Sequence, residues 1–279
     1  METEGQPFAV GLRCISDEVP SAGALRPTAA GAPVFRLQRE GRKSTLARSV
    51  NASLSLRDRL SEIHDRIEQA ARRSGRNPAQ VRLIGVVKTV PLTTIREAVE
   101  LGLADLGENR VQEAVMAFEV LGRSSRWHLI GNLQRNKAGR AADLFDRIHS
   151  IDRIEVAQAV SRRAHDAGRV VQVMVQVNVG GELQKHGVAP DGALALIEAV
   201  GRLPSLALDG LMSIGAADVK DEDARRYFAA TRDLRDRAER STGLRLPELS
   251  MGMSGDFEVA IEEGSTMVRV GSALFGTRG

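Results

Sequence analysis

The chain has 279 residues, 42% apolar but only 3% aromatic, so its core must be filled by Val, Leu, Ile, Ala and Met, as the interiors of α/β barrels of about 250 residues are. Its 39 basic and 36 acidic residues are interspersed and leave a formal net charge of +3, without the basic stripe and stacking aromatics of a nucleic-acid binder. A single cysteine, Cys14, excludes an internal disulfide or a cysteine-based zinc site and points to a reducing, cytoplasmic compartment; no apolar run nears the roughly 18 residues of a membrane span, and the start lacks the pattern of a secretory signal.

Residues 1–50 differ from the rest. Pro20 to Pro33 is rich in Ala, Gly and Pro without helical or strand periodicity, and Arg36 to Arg48 is basic and polar. Such a segment cannot bury enough apolar surface to offset its chain entropy, so it is expected to be a disordered extension. Glu2, Glu4, Asp17 and Glu18 speak against a transit peptide. A folded domain is expected over 51–279. It opens with Leu56, Leu60, Ile63, Ile67 and Ala70 at helical spacing, ending near Gly75 with Pro78 beyond.

Short apolar runs then alternate with longer amphipathic segments. The runs are Val81–Val87, Ala104–Gly107, Trp127–Ile130, Arg147–His149, Val171–Val177, Ala207–Leu211, Glu248–Ser250 and Met267–Val270. Helical patterns lie between them, among them Ile95–Leu101, Val111–Leu121, Ile154–Ala167, Ala193–Arg202 and Ala224–Arg240. Strict alternation implies a parallel sheet with crossover helices, and eight repeats favour a single closed (β/α)₈ TIM barrel. The first strand is followed by no GxGxxG fingerprint, which argues against a dinucleotide-binding fold.

Barrel chemistry sits at the C-terminal strand ends. There stand Lys88, then Glu108-Asn109, Gly131-Asn132, His149-Ser150, Asn178, Met212-Ser213, the segment Ser250 to Gly255, and Arg269 to Ser272. Lys88 closes an apolar strand. Partial desolvation of such an amine favours the neutral form that attacks an aldehyde, against the plainer alternative of a lysine snorkelling into water. Ser250 to Gly255 is expected to be a loop before a helical pattern, Asp256–Glu263, whose N–H groups and hydroxyls suit a phosphate; Gly271 offers the same one loop later. Arg269, between Val268 and Val270, needs a partner if it points inward: a carboxylate or a ligand heteroatom. His128 and His149 read better as hydrogen-bonded core histidines than as direct participants. No pair of histidines has metal-site spacing, so no metal is expected.

These segments together resemble the pyridoxal 5′-phosphate (PLP) homeostasis protein family. The resemblance is carried by Leu83 to Thr89, Gly107 to Glu113, Trp127 to Lys137, His149 to Asp152, Val177-Asn178 with Gly181-Glu182 and Lys185, Gly210 to Met212, Leu249 to Ser254, and Phe257 through Gly276, in order over roughly residues 53–277. It implies a barrel like the N-terminal domain of alanine racemase, with PLP held as a Schiff base on Lys88. It implies also that Ser254 and Gly271 contact the phosphate, that Arg269 stands beside the pyridine nitrogen, and that Asn109 and Met253 lie near the cofactor. The implied role is carrying PLP or regulating free PLP in the cell, without catalytic turnover, with apo PLP-dependent enzymes as candidate partners and a monomer or weak dimer as the assembly. Val90 stands where a second lysine is usual, His186 where a small residue is usual, and residues 1–50 have no counterpart.

Two other readings compete: a PLP-dependent racemase and a sugar-phosphate barrel. Racemases of this fold add a second domain that covers the cofactor, whereas this sequence stops at Gly279 just past the eighth strand. Its single tyrosine, Tyr227, is expected to be buried beside Phe228. A sugar-phosphate site would leave Lys88 and Arg269 unexplained together.

Overall fold

The computed structural model describes residues 54–182, 186–215 and 221–276. The expected extension over 1–50 lies outside the described residues. Helix α1 (Leu56–Arg73) starts on a capping box: the Ser55 hydroxyl accepts from the Asp58 N–H at 3.2 Å, and the Asp58 carboxylate accepts from the Ser55 N–H at 3.2 Å. Its buried stripe is Leu56, Leu60, Ile63, Ile67, Ala70 and Ala71. It ends where Gly75 takes a φ of 69°, a left-handed conformation open to glycine.

Alternating elements follow: β1 (Arg82–Val86), α2 (Leu92–Glu100), β2 (Asp105–Glu108), α3 (Val111–Leu121), β3 (Arg126–Leu129), α4 (Ala138–Leu144), β4 (Arg147–Ile151) and α5 (Ile154–Asp166). Then come β5 (Val171–Val177), α6 (Pro190–Gly201), β6 (Leu206–Ser213), α7 (Asp221–Thr242), β7 (Glu248–Met253), α8 (Phe257–Glu262), β8 (Met267–Val270) and the short α9 (Ser272–Phe275). Each strand pairs in parallel with the next, and β8 pairs with β1, so the sheet closes into an eight-stranded barrel in chain order. The expected (β/α)₈ architecture is the one observed.

Apolar side chains fall into two sets. The larger lies in a shell that joins strands to helices; a smaller set of Ile84, Met174, Met212 and Met267 stands apart from it. Ile84 lies in register with Asp105 on one side and Arg269 on the other. Neighbouring residues in register share a face of the sheet, and alternate residues along a strand return to it. The inner face therefore carries Ile84 and Val86 on β1 and Arg269 and Gly271 along β8.

Two details differ from expectation. Helix α4 has no forecast in the sequence: its buried residues are Ala138, Ala141, Ala142 and Leu144, and alanines carry little periodic hydrophobic signal. Strand β7 runs to Met253, three residues past the expected end, with a register shift against β8 between Ser250 and Met253. Ser250 is thus a buried strand residue and not part of a phosphate loop. Among the described residues, no helix is long and apolar enough to cross a membrane.

Candidate functional site

A cavity of about 980 Å³ opens at the C-terminal ends of the strands, within the size range of small-molecule sites. Lys88, Asn109, Met253, Ser254, Arg269 and Gly271 all line it. Lys88 follows β1 by two residues and keeps the inward parity of Ile84 and Val86. It sits in a tight turn in which the Val90 N–H donates to the Val87 carbonyl at 2.9 Å. The next residue, Thr89, has a φ of 60°. A left-handed conformation is unfavourable for a β-branched residue, and such strain concentrates at functional sites. Among the described residues no hydrogen bond or ion pair engages the Lys88 amine, which is half-buried at the cavity wall.

Asn109 follows β2. Its carbonyl would lie 2.2 Å from a Cβ placed on Gly131, so only glycine at 131 lets the two strand ends approach this closely. Its N–H donates to the Glu108 carboxylate at 3.1 Å. Glu108 is buried, and burial pushes its carboxyl up to about 7, with Glu113 adding to the effect and the charge of Lys88 opposing it.

Across the barrel closure, Ser254 and the start of α9 form a small donor cradle. The Ser254 oxygen accepts from the Gly271 N–H at 3.2 Å and from the Ala273 N–H at 3.3 Å. Its own hydroxyl proton is then free to point at a ligand. A Cβ on Gly271 would meet Val86 at 3.4 Å, an ordinary contact, so the protein itself does not forbid a small side chain there.

Arg269 is buried in β8 and lines the same cavity. Its two terminal nitrogens donate to Ser250 Oγ at 2.7 Å and to the Ser213 carbonyl at 2.8 Å. Among the described residues it has no ion pair; burial lowers it to about 10, opposed by the charge of Asp256. A buried donor-only cation at a cavity wall favours a ligand atom with a lone pair or negative charge.

Behind Arg269, out of the cavity, stand His128 and His149. Both are buried and hydrogen-bonded, and they touch each other at 2.9 Å between His128 Nδ1 and His149 Nε2. Sequence reasoning did not single out Gln176, which also lines the cavity with His186, the departure noted from the family pattern; Gln176 Nε2 donates to the His186 carbonyl at 3.0 Å. Gln176 had a signal: a polar residue near the C-terminal end of a strand, on the same parity as Met174 of the inner apolar set. Tyr227 is half-buried, not buried, and packs toward Gly180 away from the cavity lining. Among the described residues no group of three or more His, Cys, Asp or Glu could hold a metal ion. The site thus combines an amine, an anion-binding cradle and a fixed cation around one cavity. That set suits a phosphorylated aldehyde with a basic ring atom.

The family model described as "Alanine racemase, N-terminal domain" matches residues 59–279. The chain is 45% identical over 222 residues to the pyridoxal phosphate homeostasis protein of Aquifex aeolicus, covering 79% of this chain and 97% of that one. It is 39% identical over 228 residues to the protein of the same name from Escherichia coli K12, covering 78% and 95%. Among solved structures, PipY of Synechococcus elongatus PCC7942 with PLP bound superposes with a TM-score of 0.72 at 35% identity, covering 80% of this chain and all of that one. An alanine racemase of Clostridium difficile 630 superposes at 0.62 with 17% identity over 56% of its length, a likeness of fold.

Proposed function

The chain belongs to the pyridoxal phosphate homeostasis protein family, and from that premise we propose that it binds PLP and acts in cellular PLP homeostasis as a non-catalytic carrier. The observation that carries the reading is that Lys88, the Ser254–Gly271 cradle and the buried Arg269 line one cavity. The residues fit the cofactor. Lys88 is the amine that would bond its aldehyde carbon. Ser254, through its free hydroxyl proton, and the N–H groups of Gly271 and Ala273, once released from the Ser254 oxygen, would hold its phosphate by hydrogen bonds to a charged group. Arg269 would donate to the ring nitrogen, and Val86, Met212 and Ile214 offer apolar wall to the ring. Asn109 and Met253 complete the rim.

Bound PLP supplies an electrophilic aldehyde and an electron-withdrawing ring. Arg269 limits the second property, because a cation beside the ring nitrogen disfavours its protonation. The polypeptide therefore stores the cofactor and weakens its power to stabilise a carbanion. Candidate acceptors are apo PLP-dependent enzymes, the assembly is a monomer or weak dimer, and a single cysteine fits the reducing cytoplasm.

The test is an absorbance titration of the purified chain with PLP. Saturation near equimolar cofactor, with a new band at the edge of the visible, is the expected result. The Gly271→Asp variant should lose most of it, because a carboxylate would occupy the phosphate position. A parent chain that shows no saturable change would contradict the reading.

A further inference from the structure

The barrel interior holds a continuous line of hydrogen bonds that starts at the far end and stops at the cavity. Asp105, at the start of β2, accepts from Arg126 through both carboxylate oxygens, at 2.8 and 2.7 Å. Its Oδ1 also lies 2.8 Å from His128 Nε2. His128 Nδ1 is 2.9 Å from His149 Nε2, His149 Nδ1 is 2.8 Å from Ser250 Oγ, and Ser250 Oγ receives Arg269 at 2.7 Å. Asp105, His128, His149, Ser250 and Arg269 are all buried.

With both imidazoles neutral, the chemistry of the two ends leaves one arrangement of protons. A guanidinium has donors and no acceptor, so Arg269 must donate to Ser250 Oγ. Ser250 donates its own proton to His149 Nδ1, because the acceptor-only carboxylate at the far end takes the Nε2–H of a neutral His128 and turns both imidazoles the same way. A neutral His149 with an unprotonated Nδ1 carries its proton on Nε2 and gives it to His128 Nδ1. His128 likewise carries its proton on Nε2 and gives it to Asp105. The carboxylate, an acceptor only, closes the series. The two neutral imidazoles are therefore of the same tautomer. Independent of this geometry, burial lowers both histidines: His128 despite the neighbouring Asp105, and His149 further, with the charges of His128, Arg269, Arg147 and Arg82 against it. Asp105 is held well below the usual carboxylate range; burial would raise it, but hydrogen bonds from Arg126 and His128 outweigh that.

We propose that His128, His149 and Ser250 are positioning residues that join the buried Arg269 cation to the Asp105 carboxylate across the barrel and so fix the orientation in which Arg269 faces the cofactor ring. Arg269 and Asp105, itself paired directly with Arg126, are the two ends of one relay over three bridging groups. Its fixed polarity means the ring nitrogen is met by a donor and must itself accept. The inference rests on the PLP reading for the identity of the ring, but the relay itself is a property of this chain's own residues.

The first measurement is ¹⁵N NMR of the histidines in the full chain without added cofactor. His128 and His149 should both appear as neutral Nε2–H tautomers, unchanged through the neutral pH range. An Nδ1–H tautomer or a titration at either site would overturn the proposal whatever PLP does. The second measurement is PLP binding by Ser250→Ala, Ser250→Thr and His149→Phe. Ser250→Ala should raise the Kd about tenfold and alter the pH dependence of the bound absorbance band, because Arg269 loses its anchored acceptor. Ser250→Thr, which keeps the hydroxyl, should restore both. If His149→Phe does not fold, the serine pair and the spectra still decide. A folded Ser250→Ala whose Kd and band match the parent would reduce the relay to a packing role and overturn the proposal. A parent that binds no PLP would instead remove the cofactor reading, and this assignment of Arg269 with it, while leaving the tautomers as measured.

Discussion

Thr89 and Glu108 sit on either side of Lys88 and each carries a cost. A β-branched residue held at a φ of 60° costs about 1–2 kcal/mol, and glycine would remove that while adding about 0.5–1 kcal/mol of chain entropy to be lost. Thr89→Gly should therefore leave stability to urea unchanged or raise it by up to about 1.5 kcal/mol, while the looser turn lets PLP leave faster. A clear loss of stability would show that the Thr89 side chain makes up for its backbone. Glu108 gives a pH signature. Burial raises its carboxyl to about 7 from 4.5, so the folded state favours the protonated form. The stability this contributes is complete below the unfolded value and is lost as pH rises through about 7. Glu108→Gln mimics the protonated acid. It should match the parent near pH 4.5 and exceed it at pH 8 by roughly 3 kcal/mol at most, at about 1.4 kcal/mol per unit. Equal gaps at both pH values in urea unfolding would refute the assignment. Lys88 and Arg269 were legible in the sequence because each is a charged residue closing an apolar strand. The linkage of His128 and His149 to Arg269 through Ser250 was not, since it depends on the facing of four different strands.

Strand β7 explains the main error of element assignment. The segment after Leu249 reads as a Gly- and Ser-containing loop, yet it stays in the sheet to Met253. The register shift between Ser250 and Met253 breaks the two-residue parity, so Met253, an odd step from the interior-facing Ser250, lines the cavity together with Ser254. One stretch thus serves both the buried relay and the proposed phosphate cradle, and no periodicity in the sequence separates the two. The cradle can be tested against sterics. A Cβ on Gly271 meets only ordinary contacts with Val86, and its φ of −114° is open to any residue. Gly271→Ala should keep most PLP affinity, whereas Gly271→Asp should lose more than tenfold, above about 1.4 kcal/mol. Equal losses in the two variants would indicate simple crowding and not a carboxylate meeting a phosphate. Arg269→Glu should retain more binding than Gly271→Asp but shift the bound spectrum, because ring protonation becomes favourable.

The molecule as a whole was legible to the extent that strand and helix periods alternate: the alternation implied a parallel sheet, and its eight repeats favoured a closed barrel over an open sheet. What stayed hidden was an alanine-built helix, α4, and the polar filling of the interior. The remaining division of the chain is a proposal: residues 1–50 are dispensable for cofactor binding. The capping box at Ser55 and Asp58 sets the shortest sensible start. A chain beginning at Ala52 should bind PLP within tenfold of the full chain, or about 1.4 kcal/mol, while one beginning after Asp58 should also lose about 1 kcal/mol of stability with the cap. A larger loss of affinity in the first would mean that the extension reaches the site. The claim on which everything else depends is that PLP is bonded to Lys88. Borohydride reduction of the PLP-loaded chain, followed by proteolysis and peptide mass mapping, addresses it directly. The account predicts the pyridoxyl mass on the peptide containing Lys88 and its disappearance in Lys88→Ala; label on Lys137 or Lys185 in place of Lys88 would contradict it.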